Sequence, residues 1–118
     1  MDIFDRPADA IAPDGSEVRH LAGGVNGSMA HFRLAAHNVS KAIEHRQVEE
    51  LWCFTAGEGE MCVGDEVHAV NPGASLTIPP RTRFQFRSTG DGPLEAIGVT
   101  MPPWPGDSEA EPADPYWV

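Results

Sequence analysis

Short runs in which apolar and polar residues alternate, separated by turns rich in glycine and proline, are the feature of this sequence that most constrains its fold. They recur about every 8 to 12 residues, the spacing of antiparallel sandwiches and barrels. In residues 28–34, for example, Ala30, Phe32 and Leu34 share one face, as in a half-buried strand. The pattern therefore predicts an all-β protein. The predicted strands cover residues 17–21, 28–34, 50–55, 60–63, 66–70, 74–78, 81–87 and 94–101.

The length of the chain limits it to one hydrophobic core. At 118 residues it has about the commonest size of a single domain and is too short for two. We predict three segments: an extended N-terminal segment at residues 1–15, a β-barrel at residues 16–101, and an acidic, proline-rich tail at residues 102–118.

The negative charge is concentrated at the two ends. Of the formal net charge of −10, residues 1–17 and residues 101–118 contribute −4 each. An acidic chain without a basic patch lacks the counterion release that drives binding to nucleic acid or to an anionic membrane. Neither a secretory signal nor an apolar run of the ~20 residues that span a membrane is apparent. We predict a cytoplasmic protein that binds neither nucleic acid nor membrane.

Residues 50–63 predict a β-hairpin around a turn at residues 56–59. In this register Phe54 pairs with Met61 and Cys53 with Cys62. A disulfide between the cysteines is disfavoured in a reducing cytosol, so they are interpreted as small core or interface residues. The alternation places five side chains on one face: Glu50, Trp52, Phe54, Met61 and Val63.

The order of motifs in residues 43–57 resembles that of the cupin superfamily, whose double-stranded β-helix carries two metal-binding motifs. The first family motif reads His-x-His, three or four residues, Glu, six residues, Gly. Here His45, Glu50 and Gly57 match it, but Ile43 stands in place of the first histidine. The resemblance covers roughly residues 16–101 and implies a cupin-type jelly-roll barrel.

The second family motif reads Pro-x-Gly, two residues, His, three residues, Asn, and residues 78–88 resemble it. Arg81, Phe84 and Ser88 replace its glycine, histidine and asparagine, so two of the four expected ligands remain. Iron(II) or manganese(II) in such a site is held by about three or four donors. No cofactor is firmly predicted. The alternative is a divalent transition metal held by His45 and Glu50 with a donor from another strand.

By analogy with the family, the face that carries Glu50 points into the barrel. His45 and Glu50 are the predicted catalytic residues, because a coupled carboxyl and imidazole in an apolar cleft is what acid–base catalysis uses. The alternative is a structural pair retained in a former metal site. The predicted substrate-binding residues, which are otherwise ordinary barrel core, are Trp52, Phe54, Met61, Phe84 and Phe86.

The sequence leaves three functions open. The first is an isomerase, epimerase or lyase that uses His45 and Glu50 in an apolar pocket. The second is a metal-dependent, oxygenase-like cupin with a rearranged ligand set, and the third is a non-catalytic module that senses a ligand. Each implies a small-molecule ligand, whose identity no motif specifies. The fold alone cannot choose among them.

Apolar residues in the otherwise polar ends predict a homodimer. Small cupins often pair through edge strands or exchanged terminal segments, and residues of this kind suit that role. They are Ile3, Phe4, Trp104 and Trp117.

Overall fold

The computed structural model describes residues 5–118, and these form two antiparallel sheets packed face to face. The first four residues, including Ile3 and Phe4, lie outside the described part. The strands are β1 (Ala10–Ile11), β2 (Glu17–Gly23), β3 (Ser28–Leu34), β4 (Ile43–His45), β5 (Glu49–Ala56), β6 (Gly59–Val63), β7 (Glu66–Val70), β8 (Ser75–Ile78), β9 (Phe84–Ser88), β10 (Leu94–Met101) and β11 (Ala110–Pro112). The prediction of an all-β barrel of the double-stranded β-helix type is confirmed.

The two sheets contain six and five strands. The first has the order β1-β2-β3-β10-β5-β8 and the second β11-β4-β9-β6-β7. Alternation within β5 buries Glu50, Trp52 and Phe54 and exposes Leu51, Cys53 and Thr55, as predicted. Burial of the inward residues holds the sheets together, and the core includes Trp52, Phe54, Met61, Phe84 and Phe86.

The hairpin predicted for residues 50–63 is wrong. Strand β5 pairs with β10 and β8 in the first sheet, and β6 pairs with β7 and β9 in the second. The chain crosses between the sheets at Gly57, whose φ is +83°, and Gly59, which lies against the backbone of Arg87. Strands β5 and β6 therefore do not pair with each other, and the local sequence does not reveal the two strands with which each of them pairs.

The predicted pairing of the two cysteines is wrong for the same reason. Cys53 is exposed on the outer face of β5, and Cys62 is buried in β6 of the other sheet. Both are free thiols, and the Cys62 thiol donates to the carbonyl oxygen of Gly64.

The terminal segments contribute to both sheets. Strand β1 extends the first sheet, and β11 extends the second by pairing with β4. Within residues 102–118, predicted as a tail, the structure thus contains this short strand and a 3-10 turn at Asp107–Glu109. Strands β1, β4 and β11 were missed because runs of two or three residues carry no periodic signal.

Residues 5–118 contain no helix with the length and apolarity needed to cross a bilayer. One short 3-10 turn, Asp107–Glu109, precedes β11.

Candidate functional site

A cavity of about 390 Å³ opens between the two sheets at the end where both terminal segments return to the barrel. The first sheet contributes Glu50 and Trp52 from β5, and the second contributes His45 from β4 and Phe84 from β9. The returning C-terminal segment supplies Trp104, Gly106 and Asp107, and the N-terminal segment supplies residues 10–14.

His45 and Glu50 meet inside this cavity. Nδ1 of His45 lies 3.8 Å from Oε1 of Glu50, and the two residues are only 3% and 2% exposed. This separation is too long for a hydrogen bond. The two groups are neighbours facing a common space, which suits them to act together on a molecule between them.

Burial determines the charge of Glu50. Desolvation raises the pKa of its carboxyl from 4.5 to about 8, and the negative field of Asp14 adds to the rise. The nearby indole N–H of Trp52 opposes it, although it does not form a hydrogen bond of good geometry. At neutral pH Glu50 is therefore a protonated acid, able to donate a hydrogen bond or a proton.

The environment of His45 is aromatic. Its ring meets Phe84 and Trp104 edge to face, with ring centroids 5.1 and 5.0 Å apart. Desolvation lowers the pKa of His45 from 6.5 to about 4, although the negative charge of Glu109 acts in the opposite direction. The imidazole is thus neutral at neutral pH, and Nδ1 has no hydrogen-bond partner within residues 5–118.

A glycine makes room for this pair. A Cβ atom on Gly98 of β10 would lie 3.1 Å from Oε2 of Glu50, 3.0 Å from Nε1 of Trp52 and 2.8 Å from the ring of Phe32. Trp52 also stacks on Phe32, with centroids 4.7 Å apart and planes within 8°. The close packing fixes the indole beside the Glu50 carboxyl.

The predicted substrate-binding residues divide into two groups. Trp52 and Phe84 line the cavity. Phe54, Met61 and Phe86 are fully buried in the core and do not line it. Their inward direction follows from strand alternation, but their depth along the barrel axis does not, so sequence reasoning could not separate core from cavity wall.

Sequence reasoning also missed residues that surround the pair. Asp14 is a second buried acid in the cavity wall, with its pKa raised by burial against the effect of two hydrogen bonds from Ser16. Trp104 is held over His45 because its backbone N–H donates to Ser28 Oγ at 2.9 Å. Glu109 lies behind His45. All belong to terminal segments, whose approach to the barrel has no sequence signal.

Glu109 fixes the turn that follows His45. Its carboxylate accepts the backbone N–H groups of Gln47 at 2.6 Å and Val48 at 2.9 Å. Burial alone raises the pKa of Glu109, but these donors, with the Arg46 N–H and His45, outweigh burial and lower it. Glu109 is therefore a buried carboxylate that ties the C-terminal segment to the turn after β4.

We expect Glu109→Ala to destabilise the fold by about 2 to 4 kcal/mol, because it removes the acceptor of two backbone donors next to a buried strand. The measurement is urea unfolding at neutral pH. Glu111→Ala is the control, since Glu111 makes only surface ion pairs to Arg46 and Arg81, and should cost under about 1 kcal/mol. Equal losses in both variants would contradict the structural role of Glu109.

The donors present do not fit a metal of the kind the family motifs hold. Within residues 5–118 no group of three or more histidine, cysteine, aspartate or glutamate side chains is arranged to bind an ion. At the two replaced ligand positions stand Ile43, which lines the cavity, and Phe84, whose ring contacts His45. Arg81, at the family's glycine position, has a left-handed backbone with φ of +59°, a conformation that favours glycine.

The fold and site define a double-stranded β-helix barrel with an internal small-molecule cavity. The sequence pattern of the cupin domain family matches residues 30–100, and the chain belongs to that family.

Comparison with known proteins agrees with this assignment. The uncharacterised protein MJ1618 of Methanocaldococcus jannaschii is 27% identical over 106 residues, which cover 86% of this chain and 85% of that protein. A double-stranded β-helix protein of Klebsiella pneumoniae superposes with a TM-score of 0.73 at 15% identity, covering 93% of this chain and 90% of the other. Streptomyces PAC13, solved with uridine, gives 0.73 at 10% identity, covering 91% and 85%. The structural similarities concern the fold.

Proposed function

We propose that this cupin is an enzyme of the isomerase, epimerase or lyase kind, in which Glu50 and His45 exchange protons with a small molecule bound in the barrel cavity. The observation that carries the proposal is their juxtaposition: a buried carboxyl and a buried imidazole, 3.8 Å apart, both facing a cavity of about 390 Å³. Both groups are uncharged at neutral pH, in contrast to an ion pair.

The two protonation states assign complementary roles. The Glu50 carboxyl holds a proton that it can donate to a substrate oxygen. The neutral His45 imidazole, in the tautomer with hydrogen on Nε2, offers Nδ1 as a base. A carboxylic acid and an imidazole with pKa values separated in this way are a recurring arrangement for concerted acid and base catalysis.

The proton transfers balance within the pair. His45 takes a proton from a substrate carbon or hydroxyl, while Glu50 gives its proton to an oxygen of the same molecule. Return of the protons at other positions completes an isomerisation or epimerisation, and departure of a leaving group completes a lyase reaction. The cavity opens to solvent past exposed lining residues, so the protons carried by Glu50 and His45 exchange with solvent between turnovers.

The proposal predicts solvent exchange into a substrate. The wild-type protein, incubated with a mixture of small metabolites in deuterium oxide, should add deuterium to one compound, which mass spectrometry detects. Glu50→Gln and His45→Gln should each slow the exchange by at least about 100-fold, since each removes one proton carrier. Glu49→Gln, an exposed neighbour on the same strand, should leave it unchanged.

Three results would contradict the proposal. Undiminished exchange in Glu50→Gln would place the chemistry elsewhere. A compound that raises the melting temperature but is recovered without deuterium would indicate a non-catalytic binding module. A full equivalent of transition metal in protein purified without chelators, found by elemental analysis, would favour the metal-dependent alternative with His45 and Glu50 as ligands.

We also propose that the protein is a cytoplasmic homodimer, for which the sequence is the support. The structure gives Trp104 and Trp117 contacts within their own chain, to His45 and to Arg87. These tryptophans therefore do not support an exchange of terminal segments. Light scattering after size exclusion tests the assembly, and a monomer at micromolar concentration would refute it.

A further inference from the structure

The cavity has a buried inner end, the floor, and a solvent-exposed opening, the mouth. Glu50, Trp52 and Phe84 at the floor are at most 2% exposed, whereas Ile11, His20 and Asp107 are exposed lining residues. Trp104 is half-buried and shares the mouth with Asp107. A bound molecule therefore has one end in an apolar, proton-exchanging environment and the other beside a solvated carboxylate.

Lysine and arginine side chains take no part in the cavity. None of its lining residues is lysine or arginine, whereas three are acids: Asp14, Glu50 and Asp107. Each of the seven arginines pairs with a carboxylate outside the lining: Arg6 with Asp9, Arg19 with Glu17, Arg33 with Glu95, Arg46 and Arg81 with Glu111, Arg83 with Asp65, and Arg87 with Glu60. A phosphate or carboxylate in this cavity would meet neither lysine nor arginine to compensate its charge.

Features that attract a cation are present instead. Four aromatic rings line the cavity, those of Phe32, Trp52, Phe84 and Trp104. The faces of aromatic rings, tryptophan most of all, attract ammonium groups. Asp107 adds a full negative charge, and within residues 5–118 its side chain forms neither a hydrogen bond nor an ion pair.

One unpaired polar atom at the floor points independently to a ligand. Nδ1 of His45 belongs to a lining residue that is 3% exposed, and it has no hydrogen-bond partner among the residues described. Leaving such a buried group unsatisfied is costly, and a bound molecule with a polar atom at its inner end recovers that cost.

We propose that the substrate is a small organic cation, an amine or a quaternary ammonium compound, whose positive group lies at the mouth between Trp104 and Asp107. Its uncharged, oxygen-bearing end then reaches His45 and Glu50. This inference rests on the proposed function for the chemistry at the floor. The preference for a positively charged ligand, however, depends on the residues at the mouth alone.

Three probes of nearly the same shape test the charge selection. They are choline, its uncharged isostere 3,3-dimethylbutan-1-ol, and the anion 3,3-dimethylbutanoate. Titrations followed by NMR use the indole N–H signals of Trp52 and Trp104 as reporters in the cavity, with Trp117, which packs on Arg87 outside it, as an internal reference. We expect choline to bind about tenfold more tightly than the alcohol, and the anion to bind most weakly.

Asp107→Asn should weaken choline about three- to fivefold and leave the affinity of the alcohol unchanged. Asp91→Asn removes the same charge from an exposed site outside the cavity and should change neither. Equal affinities of choline and the alcohol, or tighter binding of the anion, would overturn the inference while leaving the cavity as a small-molecule site. Binding of none of the three at millimolar concentration would also overturn it. The solvent-exchange experiment tests the proposed function separately.

Discussion

Glu50→Gln should be more stable than the wild type at pH 9. Between pH 4.5 and pH 9 the free energy of unfolding of the variant, relative to that of the wild type, should rise by on the order of 4 kcal/mol. The physical reason is that the unfolded chain ionises this carboxyl near 4.5, whereas the folded protein holds its proton until about pH 8. The unfolded state therefore binds fewer protons than the folded state in this window, and stability falls as pH rises through it. Glutamine keeps the shape of the side chain and removes the titration.

His45 has the opposite effect on the acid side. Its folded pKa of about 4 lies below the unfolded value of 6.5, so the unfolded state binds more protons there, and stability is lost as pH falls from about 6.5 to 4. The two contributions nearly cancel between about pH 4.5 and 6.5. The fall attributable to Glu50 is therefore seen most clearly between about pH 6.5 and 8.

Urea unfolding at a series of pH values measures both effects. Glu49→Gln, on the same strand but exposed, is the matched control and should keep the wild-type pH dependence. His45→Gln should remove only the acid-side loss. A wild-type protein whose stability is constant between pH 6.5 and 9 would show that Glu50 ionises normally, and the proposed acid would then be lost.

Gly57→Ala should destabilise the protein by on the order of 3 to 5 kcal/mol, a large share of the stability of a small domain. Gly57 has φ of +83°, where an L-residue with a Cβ is strained by about 1 to 2 kcal/mol. In addition the new Cβ would overlap the carbonyl oxygen of Pro93 and lie 2.9 Å from Cα of Leu94. Both are backbone atoms of the segment leading into β10, so relief requires the strand to move.

Gly73→Ala separates the two causes. Gly73 has a similar φ of +97°, but a Cβ there meets no atom within 4 Å, so only the backbone strain remains. We expect a loss of about 1 to 2 kcal/mol for this variant. Denaturant unfolding of the two proteins gives the comparison, and equal losses would mean that contact with Pro93 has no energetic role.

The glycine of the first motif shows how far sequence reasoning reached. Its spacing from His45 and Glu50 identified the family, because the motif records a backbone position that needs a left-handed conformation and close packing. The same reasoning failed on the turn itself: residues 56–59 were interpreted as a hairpin, but they carry the chain to the other sheet. A turn signal specifies a change of direction, and tertiary packing specifies the partner.

The candidate site divides in the same way. Its two titratable groups were found from the motif, and their inward direction from the resemblance to the family. The protonation states of these two groups could not be predicted, because burial and surrounding charges set them. That burial and charge come in part from Asp14, Trp104 and Glu109, which lie in segments that the sequence marks only as polar or proline-rich.

The sequence alone determined the class of the fold, the alternation of buried and exposed residues in β5 and the loss of two motif ligands. Those properties depend on periodicity and on residue identity at fixed spacing, which are local. The tertiary structure alone decided which strands pair, how the terminal segments approach the cavity, and that the Glu50 carboxyl and the His45 imidazole lie side by side in a buried environment. Those properties depend on distance and desolvation between residues far apart in the chain, and no local pattern encodes them.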